Sequence, residues 1–339
     1  MNTNNYSLRR YTVYKLLGLL GLFMFLLISI CAGILFGVTH VPLRTLIESF
    51  TNFDGSNAHL IIRTTRVPRV LIAAIVGGSL AAAGAVMQAI TRNPLASPSI
   101  FGINAGAAFF IVVASAYFGA ESMNQFIWLA LIGACITVFV VYGLGSIGSD
   151  GLTPIKITLA GSAITALFMS FTQGILLTSG KAFDQVLPWL VGSVSGKDLD
   201  MLVKVLPYFI IGWITALILS RHLNVLAMGE DMARGLGQKT GYIKLACALL
   251  IVLLAGSSVA IAGPIAFIGI MIPHAARYLV GADYRWIIPY CFVLGALLLV
   301  LADLGSRFVA MPKEVPVGVL TAIIGVPFFV FIARKGGQR

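Results

Sequence analysis

The sequence predicts an all-α protein that crosses a membrane many times. Of its 339 residues, 59% are hydrophobic and only 10% are charged, which is too little charge to cover the surface of a soluble protein of this length. Asp, Glu, Lys and Arg are also absent from nine long stretches, most of them close to the roughly 20 residues that a membrane-spanning helix needs. These stretches are 16–43, 70–91, 93–120, 122–149, 157–180, 205–220, 245–276, 286–302 and 315–333.

Each stretch is interpreted as one helix, except the longest one. Residues 245–276 are interrupted by Gly263-Pro264 and again by Pro273, so we interpret them as one full span and the start of a shorter one. The total is ten spans in a single transmembrane domain, residues 1–339. The first span is expected to stay uncleaved, because its apolar stretch exceeds the 7–15 residues of a signal peptide.

The basic residues predict an orientation. The net charge of +11 could indicate nucleic-acid binding, but lysines and arginines also fix membrane topology, and we expect no nucleic acid as partner. If both termini are cytoplasmic, 14 of the 23 lysines and arginines lie inside, and residues 1–15 form a cytoplasmic segment. These 14 are Arg9, Arg10, Lys15, Arg92, Lys156, Arg221, Arg234, Lys239, Lys244, Arg277, Arg285, Arg334, Lys335 and Arg339.

The sequence offers no catalytic or metal site. Its four cysteines lie singly in separate apolar stretches, without the spacing of a metal site or a redox pair. The segment GILLTSGKA, residues 174–182, fails the P-loop pattern because five residues separate its glycines and Ala182 stands where Ser or Thr is needed. Asp283, Asp303 and Glu314 are expected at span ends, which leaves no intramembrane carboxylate for ion coupling. We therefore expect a pathway without a motor, an enzymatic activity or a cofactor of its own.

An internal repeat predicts that the chain has two inverted halves. Residues 71–102 match residues 250–281 without a gap at ten of 32 positions. The matches include Gly77 with Gly256, Gly84 with Gly263 and Pro94 with Pro273. The second copy begins five helices after the first, and an odd displacement reverses its direction. Inverted five-helix repeats of this kind are typical of transporters.

The segment TRNPLASPSIFGINAGA, residues 91–107, joins the second and third spans. Asn93-Pro94 ends one helix, and Asn93 and Leu95 are expected to line the inner mouth of a pathway; the alternative is a tight turn with a packing stripe. The Asn-Pro-Ala box of water channels does not fit, since Leu95 replaces the alanine and the repeat partner reads Ile-Pro-His.

The segment LNVLAMGEDMARGLG, residues 223–237, is the longest strongly polar stretch in the interior of the chain. Its apolar residues recur at spacings of three and four, which predicts one or two short amphipathic helices. An ordinary solvated loop need not be amphipathic, so residues 223–240 are interpreted as a cytoplasmic segment that couples the chain to a partner protein.

Arg63, Arg66 and Arg69 recur at a spacing of three in RTTRVPRV, directly before an uncharged stretch. Arginines near hydrocarbon are costly, and we expect them at a helix end set by Pro68. Their expected partners are carboxylates, with lipid headgroups as the alternative.

Several blocks of the chain together resemble the FecCD family, the permease subunits of type II ABC importers for iron–siderophore complexes, haem and cobalamin. The resemblance runs from about residue 12 to 335. The blocks are 66–98, LAGSAI at 159–164, PWLVGS at 188–193, 223–237, 262–285, ADLGSR at 302–307 and EVPVGVLTAIIGVPFFV at 314–330.

The resemblance implies ten helices per subunit and two permease subunits, identical or related, around one channel. It also implies two cytoplasmic ATPases that bind ATP and Mg²⁺, and an extracytoplasmic siderophore-binding protein. The location would be the cytoplasmic membrane of a bacterium.

Carried over by residue, the family pattern implies three sites. The docking arginines for the binding protein would be Arg66, Arg69 and Arg307. The ATPase-coupling residues would be Gly229, Glu230, Ala233, Leu236 and Gly237. The cytoplasmic gate would be formed by Asn93, Leu95, Thr153, Pro154 and Ile155. Arg63 has no role in the pattern.

The cargo stays open at this point. An iron(III)–siderophore complex is the commonest cargo of relatives. Thr153-Pro154-Ile155 lacks the hydroxyl-rich sequence of the cobalamin permease, which disfavours cobalamin, while haem remains an alternative. An ion-coupled secondary transporter is the alternative of another class.

Overall fold

The computed structural model of the protein describes residues 3–37, 41–148, 153–310 and 313–336, and every regular element in these ranges is helical. The α-helices are α1 (Thr3–Leu35), α2 (Leu43–Thr51), α3 (Asn57–Ile61), α4 (Val67–Thr91), α5 (Ile103–Phe118), α6 (Met123–Gly145), α7 (Pro154–Thr178), α8 (Gly180–Leu190), α9 (Leu199–Ala227), α10 (Glu230–Gly235), α11 (Thr240–Ile251), α12 (Ser257–Ala262), α13 (Ile268–Val280), α14 (Tyr284–Val309) and α15 (Val317–Gly336). Two π-helical turns, Ile62–Arg66 and Val252–Gly256, join α3 to α4 and α11 to α12. The predicted all-helical class is confirmed.

Seven helices in the described ranges are long and apolar enough to cross a membrane. They are Thr12–Leu35, Asn57–Thr91, Met123–Gly145, Pro154–Thr178, Leu199–Ala227, Thr240–Ala262 and Tyr284–Val309. Three further apolar helices are shorter, at Ile103–Phe118, Ile268–Val280 and Val317–Ile332. The seven coincide with seven of the predicted spans, and the total of ten stays a prediction.

Helices α4 and α14 lie at the centre of the bundle and pack closely against each other. The contact depends on small residues: a Cβ on Gly77 would overlap the carbonyl group of Gly295, and a Cβ on Gly84 would overlap that of Gly269 on α13. Glycines at such crossings let two helix backbones approach closely without the help of a hydrophobic effect in lipid. Nearly all of α4 is buried as a result.

The bundle has two ends, defined here by their charged residues. At the arginine end lie Arg69, at the start of α4, and Arg307, near the end of α14. At the α10 end lies Arg92, whose guanidinium approaches Gly229 directly before α10. Helix α1 runs parallel to α14, because Lys15 accepts a hydrogen bond from Tyr290 near the start of α14, while the last turn of α1 meets Arg307.

The two sequence repeats run in opposite directions. Helix α4 runs from the arginine end to the α10 end. In the second copy, α11 starts beside α10, and α12 ends at Ala262, whose carbonyl oxygen accepts a hydrogen bond from the backbone N–H of Ser193. The matched prolines, however, do not take matched roles. Pro94 lies between helices, but Pro273 lies inside α13, so the predicted second break at Pro273 is wrong. The break in the second copy is 263–267, which corresponds to the interior of α4.

Pro68 also differs from its predicted role. It occupies the first turn of α4, directly after the π-helical turn 62–66, and the helix continues through it from Asn57 to Thr91. Proline is tolerated in a first turn because its missing N–H would have no helical partner there. The helical path therefore does not end at Pro68.

Candidate functional site

Three buried arginines form a cluster at the arginine end: Arg66, Arg69 and Arg307. Arg69 donates from Nε to both carboxylate oxygens of Asp303 on α14, at 2.8 and 3.0 Å. Its Nη1 lies 2.6 Å from Oε2 of Glu314, just before α15. Arg69 is therefore paired with two carboxylates of its own chain.

Arg307 and Arg66 bind the carboxyl end of α1. Nη2 of Arg307 lies 2.6 Å from Oδ2 of Asp303. Its Nη1 donates to two carbonyl oxygens of residues 33–36 at 2.7 and 3.0 Å, and Nη1 of Arg66 donates to two others in that range at 2.8 and 2.9 Å. Carbonyl groups at a helix end carry the negative pole of the helix dipole, so the last turn of α1 helps to balance the two guanidinium charges.

The residues predicted to dock a binding protein are thus mostly hidden. The exposed fraction is 6% for Arg66, 6% for Arg69 and 3% for Arg307. Among the described residues the cluster combines these three cations with two carboxylates, and the Glu314 side chain is the more exposed of the two acids, at 34%. An external carboxylate that approaches Nη1 of Arg69 would compete with Glu314. Docking at this cluster stays a prediction.

Asp303 is the buried carboxylate of this cluster. It is 1% exposed and lies within the last two turns of α14, which ends at Val309. Both of its oxygens accept from arginine N–H groups. A buried carboxylate is retained in a protein when it is paired and hydrogen-bonded in this way, and this pairing gives Asp303 a structural role instead of a coupling-ion site.

Arg63 has aromatic partners. Its guanidinium carbon lies 4.5 Å from the ring centre of Phe53 and 5.4 Å from that of Phe50. A guanidinium over an aromatic face is attracted by the ring quadrupole. These contacts connect α2 and the loop behind it to the π-helical turn, which is a role that the sequence left unassigned.

The predicted coupling segment has an inner face that centres on Glu230, the first residue of α10. Oε2 of Glu230 lies 2.6 Å from Nζ of Lys244 on α11, and Oε1 lies 2.9 Å from Nη2 of Arg234. Thr240 donates to the same Oε1 at 3.3 Å. Burial works to raise the pKa of Glu230, but its bonds and charge pairing with Lys244 and Arg234 outweigh burial and lower it. Glu230 is ionised and points into its own subunit.

The outer face of the same segment is apolar. Met228, Met232 and Leu236 are spaced four residues apart, and each is mostly exposed. By contrast, Ala233 is fully buried against the rest of the chain. The predicted amphipathic helix is therefore present. Of the five predicted coupling residues, only Leu236 presents a large side chain outward.

Gly229 and Gly237, which flank α10, act through their backbones. Their φ values are +120° and +78°, and both lie in a region that favours glycine because a Cβ is strained there. These glycines set the direction in which the chain enters and leaves α10.

A cavity of about 680 Å³ brings the coupling segment and part of the predicted gate together. Its lining residues are Thr91, Arg92, Thr153, Pro154, Ile155, Glu230, Asp231 and Arg234. Three predicted gate residues and one predicted coupling residue therefore line one cavity at the α10 end. Residues of α10 and of the start of α7 therefore line the same cavity.

The other two predicted gate residues lie beside this cavity rather than in its lining. The amide N–H of Leu95 donates to Oδ1 of Asn93 at 2.9 Å, and the N–H of Ala96 donates to the carbonyl oxygen of Asn93 at 3.1 Å. This is a tight turn of the kind that Asn favours. Arg92, directly before this turn, has a left-handed backbone with φ of 48°. It is the residue that connects the turn to the cavity lining.

Sequence reasoning missed four contributors: Asp303, Glu314, Arg92 and Lys244. A signal did exist for Asp303, because it lies four residues before Arg307, the spacing at which helical ion pairs form. No such signal existed for Lys244, which is 14 residues from Glu230 in the chain. Within the described residues, no three of His, Cys, Asp and Glu come together as a metal site.

Comparison with known proteins gives one consistent picture. The model of the FecCD transport family matches residues 25–335. The Bacillus subtilis protein named "Probable siderophore transport system permease protein YfiZ" is 54% identical over 324 residues, which are 96% of this chain and 97% of that protein. The ferric enterobactin transport system permease protein FepD of Escherichia coli K12 is 41% identical over 315 residues, 93% of this chain and 94% of FepD.

A solved structure agrees with the sequence relatives. It is described as a metal-chelate type ABC transporter in an inward-facing conformation, and it superposes with a TM-score of 0.81 at 28% identity. The superposition covers 94% of this chain and 98% of that one.

Proposed function

The chain belongs to the FecCD transport family, and from this premise we propose that it is the permease subunit through which an ABC importer moves an iron(III)–siderophore complex. It is a non-catalytic membrane subunit. The observation that carries the cargo proposal is the likeness to YfiZ and FepD along nearly the whole chain, because YfiZ is named for siderophore transport and FepD for ferric enterobactin transport.

The driving force comes from a cytoplasmic ATPase partner that binds ATP and Mg²⁺. Support comes from the outer face of the coupling segment, where Met228, Met232 and Leu236 leave an apolar stripe exposed. Methionine side chains adapt to irregular protein surfaces, and exposed apolar stripes with polar surroundings mark sites of protein contact. The ATPase covers this stripe.

The α10 end faces the cytoplasm, and so do both chain termini. Helix α1 starts, and α15 finishes, on the same side as α10, and the 14 basic residues counted on that side agree with the excess that cytoplasmic loops carry. The membrane is the cytoplasmic membrane of a bacterium, as the named relatives suggest. The binding protein then approaches the arginine end from outside.

The three shorter helices complete ten spans. Helices α5 and α13 measure about 24 and 20 Å at 1.5 Å per residue, less than the roughly 30 Å of a bilayer core. Each follows a break, at 92–102 or 263–267. Irregular backbone at such depth is tolerated where protein or water covers it, and these two breaks line the translocation pathway.

A second permease subunit, either a copy of this chain or a related one, completes the channel. Helix α7 supports this proposal, because only 17% of the most apolar stretch of this helix is buried within one subunit. Its exposed residues include Thr158, Ser162 and Gln173. Polar side chains within a membrane face protein or a water-filled cavity and avoid lipid.

At the arginine end, the binding protein docks through carboxylates that reach Arg66, Arg69 and Arg307. The cluster contains more cations than carboxylates, and opposite charges guide association and fix orientation. Glu314 occupies Arg69 in the undocked subunit and gives way on docking. At the other end, Asn93, Leu95 and residues 153–155 form the gate beside the cavity that α10 lines.

The test is uptake into proteoliposomes that contain the complete transporter. Ferric siderophores loaded on the binding protein should accumulate only when ATP is present, and the permease without its partners should accumulate none. Haem and cobalamin serve as the competing cargoes. Uptake that follows an imposed ion gradient without ATP would instead establish a secondary transporter.

A further inference from the structure

The coupling segment presents two different faces, and the apolar one is the more exposed. Met228, Met232 and Leu236 point outward, whereas the carboxylate of Glu230 is bound by Lys244 and Arg234. Lys244 itself is 4% exposed and belongs to the first turns of α11. An ATPase seated on the apolar stripe would therefore push against one face of α10, and the other face would transmit the movement into the membrane domain.

We propose that the Glu230–Lys244 ion pair is the link that passes movement of α10 to α11, which makes Lys244 a positioning residue for transport. The inference rests on the proposed function and adds to it a route inside the subunit. It also reassigns Glu230, which the family pattern places against the ATPase, to an internal contact.

The backbone around α10 shows why a side-chain link is needed. Gly229 and Gly237 bracket the six residues of α10 with positive φ angles, and glycine gives the chain freedom at both junctions. The orientation of such a short helix depends on its side-chain contacts, which include the fully buried Ala233. The 2.6 Å contact between Glu230 and Lys244 is the ion pair that joins α10 to α11.

The pair is also built to resist separation. Burying an ammonium group is costly unless it is paired, and this cost opposes separation of Lys244 from the Glu230 carboxylate when α10 moves. Arg234 and Thr240 hold the second carboxylate oxygen, and they fix the direction in which the first one points. Charge-assisted contacts of this kind are shorter and stronger than neutral hydrogen bonds.

From α11 the movement has a continuous path to the far end of the bundle. Helix α11 continues through the π-helical turn 252–256 into α12, and Gly263 directly after it packs against the carbonyl group of Trp189. On its other side, α10 lines the cavity at the start of α7. One displacement of α10 thus acts on the gate directly and on the broken helix through Lys244.

Charge reversal separates this internal role from contact with the ATPase. The complete transporter in proteoliposomes would carry Glu230→Lys, Lys244→Glu or both, with Lys244→Arg as the conservative control. Each single reversal should lower the cargo moved per ATP hydrolysed by about ten-fold, while the double reversal restores most of it, as expected for two residues that interact with each other. The ATPase should still co-purify with all four variants, and Lys244→Arg should transport normally.

Two results would overturn the inference. One is normal transport per ATP in both single reversals. The other is loss of the ATPase from Glu230→Lys that Lys244→Glu does not restore, because Glu230 would then contact the partner.

If a single reversal fails to fold, the neutral pair Glu230→Gln with Lys244→Met removes both charges of the ion pair at once. It should fold, bind the ATPase and transport poorly, and normal coupling in it would also refute the link. Met232→Lys tests the proposed function separately, since it should release the ATPase; retention would refute the docking stripe and leave the ion pair untouched.

Discussion

At the scale of single residues, buried charge distinguishes this chain from a simple bundle of apolar helices. Arg69 is held by Asp303 and Glu314, and Lys244 is held by Glu230. These pairs lie at opposite ends of the bundle, where the chain is proposed to meet its two soluble partners. Removing one member of a buried pair leaves a charge without compensation. Neutralising one member is therefore a direct test of the role of the pair.

The first prediction at this scale concerns Glu314. Glu314→Gln should strengthen capture of the binding protein by the purified permease, because Arg69 loses a competing carboxylate and keeps Asp303. The measurement is a binding titration with the permease in lipid nanodiscs. We expect the dissociation constant to fall several-fold, with a steeper loss of affinity as salt increases.

The matched control for Glu314 is Ser195→Ala, which removes a hydroxyl that lies 3.4 Å from the same carboxylate but carries no charge. It should leave the affinity nearly unchanged. A weaker complex with Glu314→Gln would mean that Glu314 supports the docking surface and does not compete for it.

The second prediction concerns Lys197, which lies between α8 and α9 and is 6% exposed. Burial lowers the pKa of its ammonium group from 10.5 to about 8, although Asp198 acts in the opposite direction. Between pH 8 and 10.5 the unfolded chain therefore binds more protons at this position than the folded chain. In that window the contribution of Lys197 makes the folded protein more stable as pH rises.

Lys197→Met should remove this contribution. The melting temperature of the purified subunit, measured from pH 7.5 to 9.5, should rise less steeply with pH, or fall more steeply, than that of the wild type. Lys204→Met, at an exposed lysine on α9, is the control and should keep the wild-type slope. Equal slopes in the wild type and Lys197→Met would show that the buried amine does not lose its proton in this range.

At the scale of helices, close contact between backbones organises the bundle more than side-chain size does. Helix α4 is buried along most of its length because glycines meet at its crossings with α13 and α14. Helix α10 illustrates the opposite principle, since its position is fixed by side chains while glycines loosen its ends. Close backbone contacts suit the rigid core around α4. Flexible junctions suit α10, which is proposed to move.

The prediction at this scale is that Gly84→Ala destabilises the subunit. Its new methyl group would overlap the carbonyl group of Gly269, and overpacking a tight contact costs about 1–3 kcal/mol. The readout is thermal unfolding in detergent. Gly174→Ala on α7, where no atom lies within 4 Å of the added Cβ, should be neutral or slightly stabilising. Similar melting temperatures for the two variants would refute the close α4–α13 contact.

At the scale of the whole molecule, the charged features divide between two ends that face different compartments in the proposed orientation. The arginine end holds the cluster of Arg66, Arg69 and Arg307, and the α10 end holds the exposed apolar stripe and the cavity that α10 lines. In the proposed function this division lets the binding protein and the ATPase act from opposite sides.

Labelling of single cysteines in intact cells checks the orientation. With the four native cysteines replaced by alanine, Asn52→Cys after α2 should react with a membrane-impermeant maleimide. Lys239→Cys before α11 should react only after the cells are opened. The reverse pattern would invert the topology and move the ATPase stripe to the outside.

Much of this organisation could be read from the sequence, and the reasons are local. Uncharged stretches fix the helices, because a chain in lipid must satisfy its backbone within each segment. The apolar spacing around α10 predicted the exposed apolar stripe that the structure shows there, and the arginine spacing at residues 63–69 marked two of the three arginines in the buried cluster. Pro273 and Pro68 were misjudged, because a proline near a helix start and one at a break look alike without the neighbouring helices.

Membrane spans, family membership and the absence of a motor were determined by the sequence itself, since each depends on residues that are near one another in the chain. The tertiary structure alone decided which charges meet. Glu230 and Lys244 are 14 residues apart, and Arg69 and Asp303 are 234 apart. Such pairs are set by how the helices cross, and the crossing depends on contacts such as Gly84 with Gly269, which no pattern along one helix records.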